Sequence, residues 1–336
     1  MPLIVLATLA AAVAALGVFT AYDAERIKRS NPPIGQFVEV AGGRIHLVEM
    51  GGADNFPIVL LHGASVNLGD IKLALGEQLA QDYRVIAVDR PGHGWSDRPN
   101  GAADASPTSQ ARLVHEALSR IGVSRPILVA HSWSGALATA YALEYPESVA
   151  GLVLLAPLLY PWSTNTAAWF DNFLQAVLVQ ATALGASATT GPVFARTFAL
   201  PLSKLLMQTS IQSAFAPQLP PADYITRTGG ELELRPAEFI ANSQDLDWLD
   251  EYLAIQARRY DEIQAPVIIL TGDRDALAPP HFHAQRLASV LRKGKVVTLP
   301  GVGHMIHYAA PEQVHKAIAD ILGQLQSHQE GMSSRP

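Results

Sequence analysis

The chain has 336 residues, of which 49% are hydrophobic and only 16% are charged, and its formal net charge is −6. This length suffices for one large α/β domain with an insertion. The acidic balance gives no reason to expect a nucleic acid as a partner. The chain has no cysteine, which excludes disulfides, thiolate metal sites and cysteine nucleophiles. The low charge content indicates apolar surfaces or contact with a membrane.

The first twenty residues, Met1 to Thr20, carry no charged side chain and predict an apolar helix. About 20 apolar residues cross a bilayer, so residues 1–22 are expected to be a membrane anchor or a signal helix. A cleaved signal would make the protein secreted or periplasmic. It is the less favoured alternative, because no basic residue precedes the apolar stretch. A soluble N-terminal helix is the third interpretation of this stretch.

Residues 23–36 are predicted to link this helix to the folded domain. The run Asn31-Pro32-Pro33-Ile34-Gly35 is rich in residues that break helices. Arg26, Lys28 and Arg29 lie directly after the apolar stretch. If the stretch spans a membrane, the positive-inside rule places this flank, and the domain that follows, on the cytoplasmic side.

The next part of the chain predicts strands. Residues 37–40 and 45–49 alternate in polarity around a Gly-Gly turn, which indicates a hairpin. Continuous apolar runs then alternate with helix-compatible segments, which is typical of a parallel sheet covered on both faces. We therefore predict an α/β fold with a mostly parallel, doubly wound sheet, built from residues 37–157 and 261–326. The apolar runs are residues 57–61, 84–88, 126–130, 149–156, 266–271 and 295–299.

Between residues 158 and 260 the strand–helix alternation stops. Leu158 to Ala222 contains only three charged residues, Asp171, Arg196 and Lys204. We predict a helical cap, inserted after the sixth strand, that encloses an apolar cavity or contacts lipid, because solvated helices carry a charged face. A well-packed cap that says little about substrate is the alternative. The helical segments expected within it include residues 167–184 and 202–215.

Ser132 ends the apolar run Ile127 to His131, and a helical pattern follows it directly. A strand that turns straight into a helix at a serine forces a strained bend, which exposes the hydroxyl as a nucleophile requires. Strand and helix nearly touch at such a bend, and the small residues Ala130 and Ser134 lie two positions to either side. A serine that caps an ordinary helix is the alternative interpretation.

An activated serine needs a base, and the base needs an orienting acid. Asp273 and Asp275 follow the apolar run at residues 267–270, and His304 follows the next run. Carboxyl ends of parallel strands are where doubly wound sheets place their sites. The order serine, aspartate, histidine is that of one particular fold.

The chain resembles the α/β-hydrolase superfamily, in the subgroup with a helical cap. Beside Ser132, the resemblance is carried by His62-Gly63 after an early strand and by Asp89-Arg90-Pro91-Gly92-His93-Gly94 after the next. It extends from about residue 37 to about residue 322 and is least specific in the cap. It implies an esterase- or lipase-like serine hydrolase.

By this resemblance, Ser132 is the nucleophile, His304 the general base and Asp275 the orienting acid. Asp275 is preferred to Asp273 because the family's acid usually lies three residues after the glycine of this loop. A serine at this strand–helix bend excludes the family's epoxide hydrolases and dehalogenases, which use an aspartate as the nucleophile. Ser134 creates a rival register, but Ser132 is preferred because it directly follows the apolar run.

The resemblance also implies an oxyanion hole made by the backbone N–H groups of Ala64 and Trp133. The expected function is cleavage of carboxylic esters of small apolar substrates, with no cofactor and no metal. The alternatives on the same catalytic residues are an aminopeptidase or amidase, a carbon–carbon bond hydrolase and a cofactor-free perhydrolase. A ligand receptor on the same fold is the non-enzyme alternative. The residues leave the oligomeric state open.

Three further features have simple structural interpretations. His281-Phe282-His283 is interpreted as a solvated helix start rather than a metal site. His307 is expected at the surface or behind the site. The acidic run of residues 245–251 is interpreted as a solvated helix face, with an amine-binding role for an aminopeptidase as the alternative.

Overall fold

The computed structural model describes residues 2–161 and 181–333. A mixed sheet lies at the centre of these residues. Its strands are β1 Gln36–Val40, β2 Gly43–Met50, β3 Pro57–Leu61, β4 Arg84–Val88, β5 Ile127–His131, β6 Gly151–Leu155, β7 Val267–Gly272 and β8 Gly294–Leu299. Their order across the sheet is β1-β2-β4-β3-β5-β6-β7-β8. β2 runs antiparallel to β1 and β4, and the other neighbours are parallel.

Helices cover both faces of the sheet, so the predicted α/β, doubly wound fold is confirmed. The α-helices are α1 Pro2–Ser30, α2 Leu68–Ile71, α3 Glu77–Leu79, α4 Pro107–Arg120, α5 Ser134–Glu144, α6 Gly191–Phe194, α7 Leu200–Phe215, α8 Tyr224–Thr228, α9 Pro236–Asp247, α10 Leu249–Gln256, α11 Ala284–Val290, α12 Ile306–Ala309 and α13 Pro311–Ser333. One apolar core lies between the sheet and α4, α5 and α11. The other lies between the sheet and α2, α3 and α13.

The central strands of the sheet have continuous apolar sequences because both of their faces are buried. Every residue of β5 and β6 is buried, and these are the strands at the middle of the parallel part. β3 and β4 lie on one side of β5, and β6 to β8 lie on the other. Ligands bind such sheets at the carboxyl ends of the strands, next to the point where the order reverses. The carboxyl end of β5 is therefore the expected place for a site.

The cap follows β6 and precedes β7, as predicted. Its described part begins at residue 181 and contains α6 to α10, together with a π-helical turn over Ala195–Ala199. The predicted helix at residues 202–215 corresponds to α7, Leu200–Phe215. Most of the other predicted helix, at residues 167–184, lies outside the described residues.

The N-terminal helix is longer than predicted. α1 continues to Ser30, so residues 23–30 are helical and not part of a linker; only the Asn31–Gly35 stretch connects it to β1. The reason is that the end of α1 has a partner. Ala24 and Ile27 pack in a small apolar cluster with the cap residues Leu200, Leu232 and Leu234.

Charged side chains surround this cluster and attach α1 to the cap. Asp23 forms salt bridges with Arg26, at 2.6 Å, and with Lys204 of α7, at 2.5 Å. Arg26 also pairs with Glu231 at 3.1 Å. The charges that seemed to mark the end of the helix therefore belong to an interface, which a sequence pattern alone does not distinguish from solvated charge.

Two glycines offer a matched test of packing near the site. A Cβ at Gly272, the last residue of β7, would lie 2.1 Å from the carbonyl oxygen of Val302. Gly323 is exposed in α13 and has nothing within 4 Å of that position. We expect Gly272→Ala to lower the free energy of unfolding by about 1–3 kcal/mol through overpacking. We expect Gly323→Ala to raise it by about 0.5–1 kcal/mol, because alanine favours a helix.

Guanidinium denaturation of both variants, followed by tryptophan fluorescence, measures these changes. Equal midpoints for Gly272→Ala and the wild type would show that the two loops beyond β7 and β8 are not held as closely as the structure has them.

Candidate active site

Ser132 occupies the sharp turn between β5 and α5. Its φ is +53°, a left-handed conformation that non-glycine residues adopt at a cost of about 1–3 kcal/mol. Its N–H donates to the carbonyl oxygen of Leu155 at 2.9 Å, which holds the turn against β6. The strain is maintained because β5 and α5 are both packed in the core and leave no room for a longer connection.

Small residues allow this turn to close. A Cβ at Gly135 would lie 2.4 Å from that of Pro157, and one at Gly63 would lie 3.3 Å from that of Ser132. Ser134 is fully buried, and its hydroxyl donates to the carbonyl oxygen of His62. The hydroxyl proton of Ser134 is engaged in this bond and is not directed to His304. The geometry therefore favours the register centred on Ser132 over the one centred on Ser134.

The three side chains that were predicted to act together lie in one chain of hydrogen bonds. Oγ of Ser132 is 2.9 Å from Nε2 of His304. Nδ1 of His304 is 2.9 Å from Oδ2 of Asp275. All three residues are buried, with exposed fractions of 8%, 6% and 5%. They come from three loops at the carboxyl ends of β5, β7 and β8, although up to 172 residues separate them in sequence.

Asp275 rather than Asp273 contacts the histidine. Its other oxygen, Oδ1, accepts from the amides of Leu277, at 2.8 Å, and Ala278, at 2.9 Å. Burial alone would raise the pKa of Asp275, but the charge and hydrogen bond of His304 and these two amides hold it below its ordinary value. Asp273 instead accepts from the amide of Gly301 at 2.7 Å and shapes the turn before His304.

The expected oxyanion donors lie beside Ser132. Among the residues that the structure describes, neither the N–H of Ala64 nor that of Trp133 donates a hydrogen bond. Trp133 directly follows the serine, and Gly63 brings the Ala64 loop close to it. Two free amides next to a nucleophile are suited to stabilise negative charge that develops on a substrate oxygen.

A buried arginine supports the loop that contains Gly63 and Ala64. The guanidinium of Arg90 donates to the carbonyl oxygen of Gly63 at 3.3 Å and lies over the ring of Trp133, 4.1 Å from its centroid. The backbone N–H of Arg90 donates to Nε2 of His62 at 3.0 Å, while Nδ1–H of His62 donates to Gly63 at 2.9 Å. Burial, followed by the charge of Arg90, lowers the pKa of His62 well below its usual value, so His62 is neutral.

The charge of Arg90 is balanced by the cap. Asp245, at the end of α9, is completely buried; its Oδ2 accepts from Arg90 at 2.7 Å and its Oδ1 accepts from Arg98 at 2.9 Å. Burial alone would raise the pKa of Asp245, but the two guanidiniums hold it well below its usual range. The backbone oxygen of Asp245 also accepts from Nε1 of Trp133 at 2.9 Å. The prediction of a solvated face is therefore wrong for Asp245, although Asp247 is exposed.

Two further histidines are buried, and for one of them this was not expected. Nδ1 of His283 accepts from the backbone N–H of Leu159 at 3.1 Å, and burial lowers its pKa to about 3, so the interpretation as a solvated helix start is wrong at this residue. Its partner lies 124 positions away, which is why sequence reasoning missed its burial. His307 is fully buried, and its Nε2 donates to Asp70 at 2.9 Å, which places it behind the site, one of the two positions expected for it.

His131 connects the serine turn to the histidine loop. Its Nε2–H donates to the backbone oxygen of His304 at 3.2 Å, and its ring lies between those of His304 and His307. Burial, followed by the charges of those two histidines, lowers the pKa of His131 well below its usual value. Asp70, His131 and His307 carry donor atoms of types that bind metals, within 4.8 Å of one another. The carboxylate and the imidazole of His307 already share a hydrogen bond there.

The arrangement matches a known family. A family model for the alpha/beta hydrolase fold matches residues 57–311. The chain belongs to this family. Its fold and its relatives indicate a hydrolase. An α/β-hydrolase of this kind places a nucleophile on the turn after β5, which is where Ser132 lies.

Relatives cover most of this α/β-hydrolase. It is 28% identical over 295 residues to a dihydrolipoyllysine-residue acetyltransferase component of an acetoin cleaving system from Pseudomonas putida, covering 86% of this chain and 70% of that one. It is 24% identical over 293 residues to epoxide hydrolase 3 of Xenopus tropicalis, covering 84% and 75%. Among solved structures, a bacterial membrane phospholipase A matches with a TM-score of 0.67 and 24% identity, covering 97% of each chain.

The contact between Asp245 and Arg90 can be tested against a neighbour on the same helix. We expect Asp245→Asn to lower the free energy of unfolding by about 3–5 kcal/mol, because it leaves two buried guanidiniums without their carboxylate. Asp247→Asn removes an exposed carboxylate two residues away and should change it by less than about 0.5 kcal/mol. Guanidinium denaturation gives both values. Similar losses for the two variants would contradict the buried ion pair.

Proposed function

We propose that this protein is a serine hydrolase that cleaves carboxylic esters of apolar substrates through an acyl-enzyme. The observation that carries the proposal is the unbroken series of 2.9 Å contacts from Ser132 through His304 to Asp275. The two free amides beside it, those of Ala64 and Trp133, support the same chemistry.

The steps follow from these positions. Oγ of Ser132 attacks the ester carbonyl carbon while Nε2 of His304 takes its proton. The amides of Ala64 and Trp133 stabilise the oxyanion, and Asp275 holds the imidazole in the required tautomer and stabilises its charged form. The imidazolium then protonates the leaving alcohol as the ester bond breaks. A water molecule, deprotonated by His304, releases the acid and restores the hydroxyl.

Several observations support an ester of an apolar acid or alcohol over the other candidates. The cap sequence from Leu158 to Ala222 carries only three charged residues, which suits a substrate without charge. For an aminopeptidase, the first carboxylate of the acidic run at residues 245–251 is unsuited to bind an amine, because Asp245 is occupied by Arg90 and Arg98. Amidases, carbon–carbon bond hydrolases and perhydrolases remain alternatives on the same three residues, as does a ligand receptor.

We also propose that α1 anchors the protein in a membrane, with the hydrolase domain on the cytoplasmic side. Within the described residues, α1 is the one helix apolar and long enough to span a bilayer, with a mean hydropathy of 2.3 in its most apolar window. Residues 20–27 pack into the cap, a role that a removed leader would not serve. The membrane phospholipase A resembles the chain over this helix as well, since 97% of the chain is covered.

Kinetics with p-nitrophenyl esters of short, medium and aromatic acids test the catalytic roles. We expect Ser132→Ala and Asp275→Asn each to lower kcat by about 10⁴-fold or more, because the nucleophile or the required histidine tautomer is lost. The matched control is Asp273→Asn, which alters only the hydrogen bond to Gly301 and should stay within a few-fold of wild type.

The esterase assignment would be overturned if the wild type hydrolysed none of these esters faster than Ser132→Ala does. An amino-acid anilide hydrolysed faster than its N-acetylated form would favour an aminopeptidase instead. Glycerophospholipids belong in the panel as apolar esters that a membrane-bound enzyme meets.

Membrane attachment is tested by extraction. Leu9 and Val13 are exposed on α1, and a lysine at the centre of a membrane helix costs about 2.5–3.5 kcal/mol. We expect wild type to stay in the membrane pellet in high salt and alkaline carbonate, and the variant with Leu9→Lys and Val13→Lys to be partly released. Ile255→Lys, at an exposed cap position, should behave as wild type. A mature protein whose mass lacks α1 would instead identify a cleaved signal.

A further inference from the structure

The exposed part of α1 is shorter than the hydrocarbon thickness of a bilayer. Residues 4–15 are exposed, and contact with the cap begins at about Gly17. At about 1.5 Å per residue these exposed residues are about 18 Å long, whereas the hydrocarbon part of a bilayer is about 30 Å thick.

The following residues continue the span without a charge. No acidic or basic side chain occurs before Asp23, whose pairing with Lys204 at 2.5 Å suits the polar boundary of the membrane. Tyr22 is 73% exposed at this level, where tyrosines are enriched in membrane proteins. The apolar part of the helix therefore ends near residue 22, and Gly17 and Thr20 lie inside it.

These buried turns of α1 contact one segment of the cap. The hydroxyl of Thr20 donates to the backbone oxygen of Thr197 at 3.1 Å, and a Cβ at Gly17 would lie 3.8 Å from the backbone oxygen of Arg196. We name this segment, α6 with the π-helical turn that follows it (Gly191–Ala199), the cap edge. The cap edge thus lies at the same depth as residues 17–20.

The cap edge presents apolar side chains to its surroundings. Val193 is 61% exposed and Phe198 is 43% exposed, and Leu205, next to Lys204, is 78% exposed. The backbone of the cap edge is helical and continues into α7, so its polar groups find partners along the helix, as a membrane favours. Arg196 is its one charged residue, and such a side chain can extend its guanidinium to the lipid headgroups.

We propose that the cap edge is inserted in the phospholipid bilayer, beside α1 and in the leaflet that faces the hydrolase domain. The inference rests on the proposed membrane anchor and adds a second contact, which fixes the orientation of the domain on the membrane surface. An amphipathic segment of this kind buries its apolar side about 5–10 Å into the boundary between headgroups and acyl chains. This depth agrees with the length of the uncharged turns at residues 16–22, about 10 Å at the usual helical rise.

The absence of native cysteine makes a direct test available. Single cysteines are placed at Phe198 and at Val193, labelled with an environment-sensitive fluorophore, and the full chain is reconstituted in phosphatidylcholine–phosphatidylglycerol vesicles. Leu9→Cys serves as the label within the anchor. Ile255→Cys is the matched aqueous control: it is 68% exposed, on α10, which Gln256 ties to α5 rather than to α1.

For labels at 198 and 193 we expect emission at shorter wavelengths than for the label at 255, and quenching by lipids that carry a nitroxide near the headgroup. The label at 9 should be quenched best by deeper nitroxides. The inference is wrong if the label at 9 reports hydrocarbon while the labels at 198 and 193 give the same emission and quenching as the label at 255. The cap edge would then be in water. If 9 is also in water, the anchor itself fails, and the insertion of the cap edge fails with it. Val193 is the more exposed site, so it decides the test where Phe198→Cys disturbs folding.

Discussion

The buried guanidinium of Arg90 is the point on which the arrangement of the molecule depends. A charge with no exposed surface has to be compensated where it lies, and here the compensating carboxylate, Asp245, belongs to the cap. The same guanidinium supports the Gly63 loop and the ring of Trp133. Core, cap and the proposed oxyanion hole therefore share one electrostatic contact. Separating the cap from the core would leave the guanidiniums of Arg90 and Arg98 without the carboxylate of Asp245 that compensates their charge.

α9 extends this contact to the outer side of the cap. One of its ends carries Asp245 against Trp133, and Phe239, nearer its start, packs on Phe194 of α6 with ring centroids 5.9 Å apart. The helix is twelve residues long, about 18 Å at the usual rise. A helix of this length joins the surface proposed to contact lipid with Trp133, the residue that follows Ser132. The proposed membrane contact and the proposed active site therefore share one structural element.

The sheet and the three polar residues at its edge could be predicted because each leaves a local pattern. β5 and β7 are buried on both faces and have continuous apolar sequences, and Ser132 and Asp275 follow them closely. His304 follows β8, a more exposed strand at the edge of the sheet. The family model supports the same fold over residues 57–311. Local pattern therefore sufficed wherever a residue's environment is set by its own strand.

The errors occurred where the environment is set by a distant partner. In sequence, Asp245 resembles a solvated acid, because its partner Arg90 lies 155 positions earlier. His283 lies in a polar segment before a helix, and only the tertiary structure buries it. The end of α1 was misjudged for the same reason, since Asp23 and Arg26 pair with cap residues about two hundred positions away. No periodicity within a window of one helix contains this information.

The packing of α1 on the cap also decides where the chain can be shortened for work in solution. Removing everything before Asn31 would expose Leu200, Leu232 and Leu234 and remove the salt bridges that Asp23 and Arg26 make with Lys204 and Glu231. Such a fragment would have a newly exposed apolar surface, so its aggregation would not reflect the behaviour of the full-length protein. A cut after residue 15 keeps every buried turn of the helix and, among the described side chains, discards only exposed ones. The boundary of the folded domain thus lies inside the apolar helix, well before its last hydrophobic turn.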